Sequence, residues 1–140
     1  MKREDFEILV GEPSIKVSEN FWLHEMACPC CGMYYRNETL LEMLEIARAK
    51  AGIPFHPNSW FRCPKHNQFV GGSKNSEHCH GNAVDLRVVN STAGYLIMGA
   101  LFYAEFPRIE YHPVYYHAGV GADKPQLVLF PNPKILTTAA

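Results

Sequence analysis

From Ala83 to Val89 the chain alternates in the manner of a strand. Ala83, Asp85 and Arg87 fall on one face, Val84, Leu86 and Val88 on the other. A different period rules upstream. Leu40, Leu41, Leu44 and Ala47 share one face of a helix that Asn37 can cap, and Gly52 followed by Pro54 ends it. A second long helix is predicted from a cap at Ser91 through Phe106, with Tyr95, Phe102 and Phe106 as its core stripe and Pro107 as its stop. Between the two lie a strand over 54–60 that delivers Ser59 and Arg62 to its end, a helical turn from Pro64 to Phe69, and a tight loop at Gly71-Gly72. Short strands near 108–112, 114–119 and 126–130 close the sheet. Residues 1–20 read as an arm broken by Gly11, Pro13 and Ser18. Phe21 to Met26 reads as a short turn or helix entered through Asn20 or Ser18. The fold class is α+β, helices packed on an antiparallel sheet.

Composition narrows the picture. With 140 residues, 47% of them hydrophobic, the chain can bury one core, so a single domain over 1–140 is expected: arm 1–20, core 21–119, closing strand and tail 120–140. Thirteen Lys and Arg against fourteen Asp and Glu leave no basic patch, which argues against a nucleic-acid partner. No apolar stretch is long enough to span a bilayer. Met1 to Val10 lacks the apolar run of a signal peptide, so synthesis in the cytoplasm is expected. A monomer is expected.

The chemistry concentrates at Ser76-Glu77-His78-Cys79-His80-Gly81-Asn82-Ala83-Val84-Asp85. A carboxylate on the inner part of a strand is costly unless paired. A divalent metal accepts the carboxylate and a nearby imidazole together, which makes zinc the first hypothesis. Alternatives stand beside it: Asp85 in an ion pair with Arg62 or Arg87, and His117 as a packed histidine among Tyr115 and Tyr116.

Other residues fill out the pattern: Asn58-Ser59-Trp60-Phe61-Arg62-Cys63-Pro64, then Asn67, Val70-Gly71-Gly72, and His117 in an aromatic strand. Together they resemble the zinc D-alanyl-D-alanine carboxypeptidases, in the superfamily that joins them to lysostaphin and the hedgehog signalling domain. Short phage and bacterial cell-wall peptidases share this pattern, and action on a cell wall would need release or carriage, as for a phage endolysin freed by a separate membrane pore. The resemblance runs from about Phe21 to His117. It implies a hedgehog-like, D-Ala-D-Ala peptidase-like fold and zinc held by His78, Asp85 and His117. It also implies a metal-activated water that hydrolyses peptidoglycan stem peptides next to a D-amino acid. D-Ala-D-Ala carboxypeptidase action leads, with an endopeptidase between L-Ala and a D-residue close behind. Arg62 matches a family arginine suited to a substrate carboxylate or oxyanion. Ser76 matches a serine that hydrogen-bonds substrate, while Ser59, Asn67 and Gly71-Gly72 shape the turns.

Two departures bear on activity. Relatives carry an acid three residues before the last histidine ligand and often another two residues after it; here these are Val114 and Gly119. Glu77 stands where relatives have Gln, and Glu110 where they commonly have Gly. Glu110 and Glu77 are therefore the candidate general bases, with His112, on the same strand face as Glu110, a third proton carrier. The alternative is a non-catalytic zinc domain that binds cell wall or belongs to a phage particle.

The cysteines form a separate pattern. Cys28-Pro29-Cys30-Cys31 and Cys63-Pro64-Lys65-His66 offer two knuckles, enough for a second, structural metal on Cys28, Cys31, Cys63 and His66. A disulfide to Cys63 and simple burial are the alternatives.

Overall fold

The computed structural model describes residues 15–131 and, before them, the backbone of strand β1, Glu7–Ile8. Gly11 and Pro13, and most of the expected arm, lie outside the described residues, as does the tail beyond 131. The elements that follow are α1 (Leu23–Met26), β2 (Met33–Tyr34), α2 (Glu38–Ala51), β3 (Pro57–Ser59), α3 (Pro64–Phe69), a 3-10 turn (Glu77–His80), β4 (Ala83–Arg87), α4 (Ser91–Tyr103), β5 (Arg108–Tyr111), β6 (Tyr115–Gly119) and β7 (Gln126–Leu129). The arm pairs through β1 with β2, antiparallel.

Local signals explain most boundaries. Asn37 Oδ1 accepts from the Leu40 amide at 3.1 Å, and Gly52 closes α2 in the left-handed conformation. Glu38 in the first turn and Arg48 and Lys50 in the last complement the helix dipole. Entry to α1 differs from expectation. Its cap is Trp22, whose amide donates to Glu25 at 2.9 Å, while Asn20 donates instead to Glu45 of α2.

The sheet runs β3-β4-β6-β5-β7, antiparallel except for the parallel β5–β7 pair. One face carries Val84, Leu86, Ile109, Tyr116 and Ala118 into a common core with Leu40, Leu44 and Ala47 of α2 and Ile97 and Leu101 of α4. The predicted core stripe of α4 is corrected: Tyr95 and Phe102 are 82% and 53% exposed, while Phe106, past the helix end, is buried. The buried face is Ala93, Gly94, Ile97, Ala100 and Leu101, small residues that let α4 approach closely; a Cβ on Gly94 would meet the Tyr116 hydroxyl at 2.7 Å. The cap is Asn90, whose Oδ1 accepts from the Ala93 amide, rather than Ser91.

Register places the chemistry. Ser59 opposes Asp85, Asp85 opposes His117, and His117 opposes Glu110. The four residues form one row across β3, β4, β6 and β5, on the face turned away from α2 and α4. Asp85 and His117 are nonetheless buried, at 5% exposure each.

Candidate metal centre and the cavity around it

His78 is brought to this row by the 3-10 turn. Ser76 Oγ accepts from the His78 amide at 3.3 Å, and the Arg62 amide donates to the His78 carbonyl at 3.2 Å. The loop before the turn is fixed by buried Asn67, whose amide group donates to the Ser73 carbonyl at 2.8 Å. Gly72 lies so close to Asn67 that a Cβ there would sit 2.0 Å from its Oδ1.

His78 Nδ1 lies 2.7 Å from the Trp60 carbonyl, which can only accept. The proton is thus on Nδ1, and Nε2 turns its lone pair toward Asp85 Oδ1 at 3.1 Å and His117 Nδ1 at 3.2 Å. His117 is held in the opposite sense. Its Nε2 lies 2.9 Å from Glu77 Oε1, so Nδ1 faces Asp85 Oδ1 at 3.1 Å. Three acceptor atoms meet in a buried space, and acceptors crowded together repel unless a positive charge joins them. A proton can supply it. Burial disfavours a charged His117, but the hydrogen bonds to Asp85 and Glu77 outweigh it and lift the imidazole to about 9. Burial would raise Asp85, yet hydrogen bonds from His117 and His78 hold it well below the usual carboxylate range.

A metal ion fits the same space. Separations of 3.1–3.2 Å are close to the edge of a tetrahedron with bonds of about 2.0 Å, and two imidazoles with one carboxylate are a zinc donor set. The other nitrogen of each histidine is already oriented by a carbonyl or carboxylate, as in zinc sites.

Arg62 engages every one of its nitrogens: Nε donates to Ser59 Oγ at 2.8 Å, and the two terminal nitrogens donate to Asn67 Oδ1 at 3.0 Å and Asp85 Oδ2 at 3.2 Å. The ion pair anticipated between Asp85 and Arg62 therefore exists, alongside the histidines. Glu77 and Glu110 both contact the Nε2 side of His117, opposite the convergence point. Glu77 Oε2 also accepts from the Gly121 amide at 2.9 Å. Glu110 Oε2 stands 3.9 Å from His117 Nε2 and accepts from Arg108 at 2.8 and 3.0 Å, while its Oε1 meets His112 Nε2 at 3.1 Å. Burial opposes the Glu110 charge, but His117, His112 and Arg108 hold the carboxyl below its ordinary value. The His112 ring is sandwiched between Tyr115 at 4.2 Å and Phe130 at 4.5 Å. A cavity of about 640 Å³ opens over the centre; Arg62, Ser76, Glu110, His112 and Tyr115 are among its walls.

A family model described as Peptidase M15 matches residues 19–100, more than half of the chain. The chain belongs to the peptidase M15 family. M15 peptidases are zinc-dependent, and the zinc D-Ala-D-Ala carboxypeptidases seen in the motifs between Ser59 and Asp85 fall within this family. The M15 match takes in Arg62, His78 and Asp85 and ends before Glu110, His112 and His117. No curated protein matches the chain. Among the described residues no helix is long and apolar enough to cross a membrane.

Among the described residues of this M15 peptidase, a second donor cluster forms from Cys28, Cys31 and Cys63, ligand atoms all within 4.8 Å of one another. His66, expected as its fourth member, is not in that cluster; its ring stacks on Phe69 with centroids 6.3 Å apart. Burial and the neighbouring Cys28 and Cys63 push the Cys31 thiol up to about 11. Burial works the same way on Cys63, but the His66 amide and the surrounding thiols bring it below its ordinary value.

Proposed function

We propose that this M15 peptidase hydrolyses peptidoglycan stem peptides beside a D-amino acid, with removal of a C-terminal D-residue as its leading reaction. The observation that carries the reading is the buried convergence of His78 Nε2, Asp85 Oδ1 and His117 Nδ1 at the floor of an open cavity. His78, Asp85 and His117 would hold the zinc on which M15 peptidases depend, and the ion, when bound, would make a water acidic enough to attack near neutral pH and would polarise the scissile carbonyl.

The chain's own residues divide the remaining work. Glu77 holds His117 in its tautomer. Arg62 holds Asp85, and the N–H groups left over on its two terminal nitrogens are available for a substrate carboxylate or a developing oxyanion. Ser76 offers its hydroxyl at the cavity wall. Glu77 and Glu110 act as positioning residues in this reading, and proton transfer falls to His112. Its Nε2–H donates to Glu110, and its other ring nitrogen, Nδ1, would carry the proton from the attacking water to the departing amine.

A carboxypeptidase releases free D-Ala from a stem peptide ending in D-Ala-D-Ala, and a chelator abolishes the release. A new N-terminus inside the stem would establish the endopeptidase instead. Zinc-loaded protein that releases nothing would establish the second reading, a non-catalytic zinc domain, which Val114 and Gly119 favour because neither carries an acid.

A further inference from the structure

Cys28 and Cys63 belong to segments with no common secondary structure, yet their sulfurs and that of Cys31 gather within 4.8 Å. The backbone around them is shaped for it. The Gly32 amide donates to the Cys28 carbonyl at 2.8 Å, the Cys28 amide donates to the Met33 carbonyl at 2.7 Å, and Gly32 takes the left-handed conformation at φ +74°. This turn brings Cys31 back over Cys28. Backbone amides point at the sulfurs: the Cys63 amide donates to Cys28 Sγ at 3.5 Å and the His66 amide to Cys63 Sγ at 3.3 Å. Amide-to-sulfur bonds stabilise thiolates more than thiols, because the charged acceptor is the stronger one. Cys30, next to Cys31 in the same turn, is exposed and stands outside this three-sulfur group.

We propose that Cys28, Cys31 and Cys63 hold a second zinc ion, structural in role, with the neighbouring Cys30 turned in as the fourth ligand. Four thiolates from two turns make a complete tetrahedral set, with no place for an exchangeable water. Binding releases the protons of the ligating thiols to solvent. The ion would tie the stretch between α1 and β2 to the turn that carries Arg62, next in sequence to Cys63. The same junction already holds a backbone bond, Phe61 amide to Met26 carbonyl at 3.1 Å. The site is separate from the His78–Asp85–His117 centre and does not depend on the reaction proposed for it.

The test is metal content together with the absorption spectrum of the cobalt-substituted protein. Wild-type protein is expected to carry two metal ions per chain and to show sulfur-to-cobalt charge transfer with tetrahedral d–d bands. His78→Ala is expected to lose one ion and keep the sulfur bands. Cys63→Ser and Cys31→Ser should lose the sulfur bands and keep one ion. Cys30→Ser should weaken binding at this site at least tenfold, with His66→Asn leaving it unchanged. The wild-type and His78→Ala spectra decide the question even if the cysteine variants fail to fold. One ion per chain that disappears in His78→Ala, or a cobalt spectrum without sulfur charge transfer, would overturn the proposal. So would metal-loaded protein whose cysteines all react rapidly with a thiol reagent. Loss of the site in His66→Asn with Cys30→Ser unaffected would overturn the ligand set.

Discussion

The Glu77 carboxylate occupies the space above Gly119: a Cβ on Gly119 would lie 2.3 Å from both of its oxygens. Gly119 is a position where the family resemblance leads to the expectation of an acid. In this chain the acid reaches the same region from the His78 turn, and it contacts His117 Nε2. Gly119→Ala is therefore expected to push Glu77 off His117 and weaken zinc binding about 10–100-fold, the usual cost of losing such an orienting partner. Glu77→Gln keeps an acceptor in place and should lose less. Competition with a chromophoric chelator measures both. Equal affinity in Gly119→Ala and wild type would remove Glu77 from the site's architecture.

His112 separates proton transfer from metal binding. His112→Gln should lower kcat by about 10²–10⁴ with full zinc content. Glu110→Gln should have a smaller effect of the same kind, because Glu110 acts through the imidazole. A His112→Gln enzyme with wild-type kcat would return the general base to one of the carboxylates.

Arg62 is expected to matter for stability as well as turnover. Its removal leaves Asp85, Ser59 and Asn67 without a shared donor at a largely buried position. Arg62→Ala should cost about 3–5 kcal/mol in urea unfolding, the range for breaking a buried ion pair. Arg62→Lys should recover only part, since one ammonium cannot meet three acceptors in a plane. A loss below about 0.5 kcal/mol, the size typical of a surface change, would contradict this.

Without metal, the centre should make stability depend on pH. The His117 imidazole is raised to about 9 in the fold from an unfolded value near 6.5, so its contribution is complete below about pH 6.5 and lost as pH rises through about 9. Asp85 is lowered, so its contribution is complete above its unfolded value near 4 and fades only in strong acid. Urea unfolding of chelator-treated protein should give lower stability at pH 10 than at pH 6. Zinc should reverse the trend, since ligands must be deprotonated to bind it. Metal-free stability that does not change between these pH values would show that no such proton is held.

Legibility in the sequence followed how local each signal was. Helix α2 was readable because Asn37, the Leu40–Leu44 face and Gly52 lie within one stretch of chain. The face of α4 was misread because nearly all its positions are apolar. Burial there was decided by contact with α2 and Tyr116, which favours Ala93, Gly94 and Ala100 over the larger Tyr95 and Phe102. The period of β4 put Asp85 on a face of its own. That His117 and Glu110 share its row depends on strand register, which no single segment records. The bond from Glu77 to His117 spans 40 residues, and the meeting of Cys63 with Cys28 and Cys31 joins two turns more than 30 residues apart. Neither has a periodic signature.

The most direct test is a titration of metal-free protein with zinc, following D-amino-acid release from a defined stem peptide. The account predicts no release without metal and release that rises until the His78–Asp85–His117 centre is full, with His78→Ala inactive at every zinc concentration. Activity that survives complete metal removal, or an active His78→Ala protein, would contradict it.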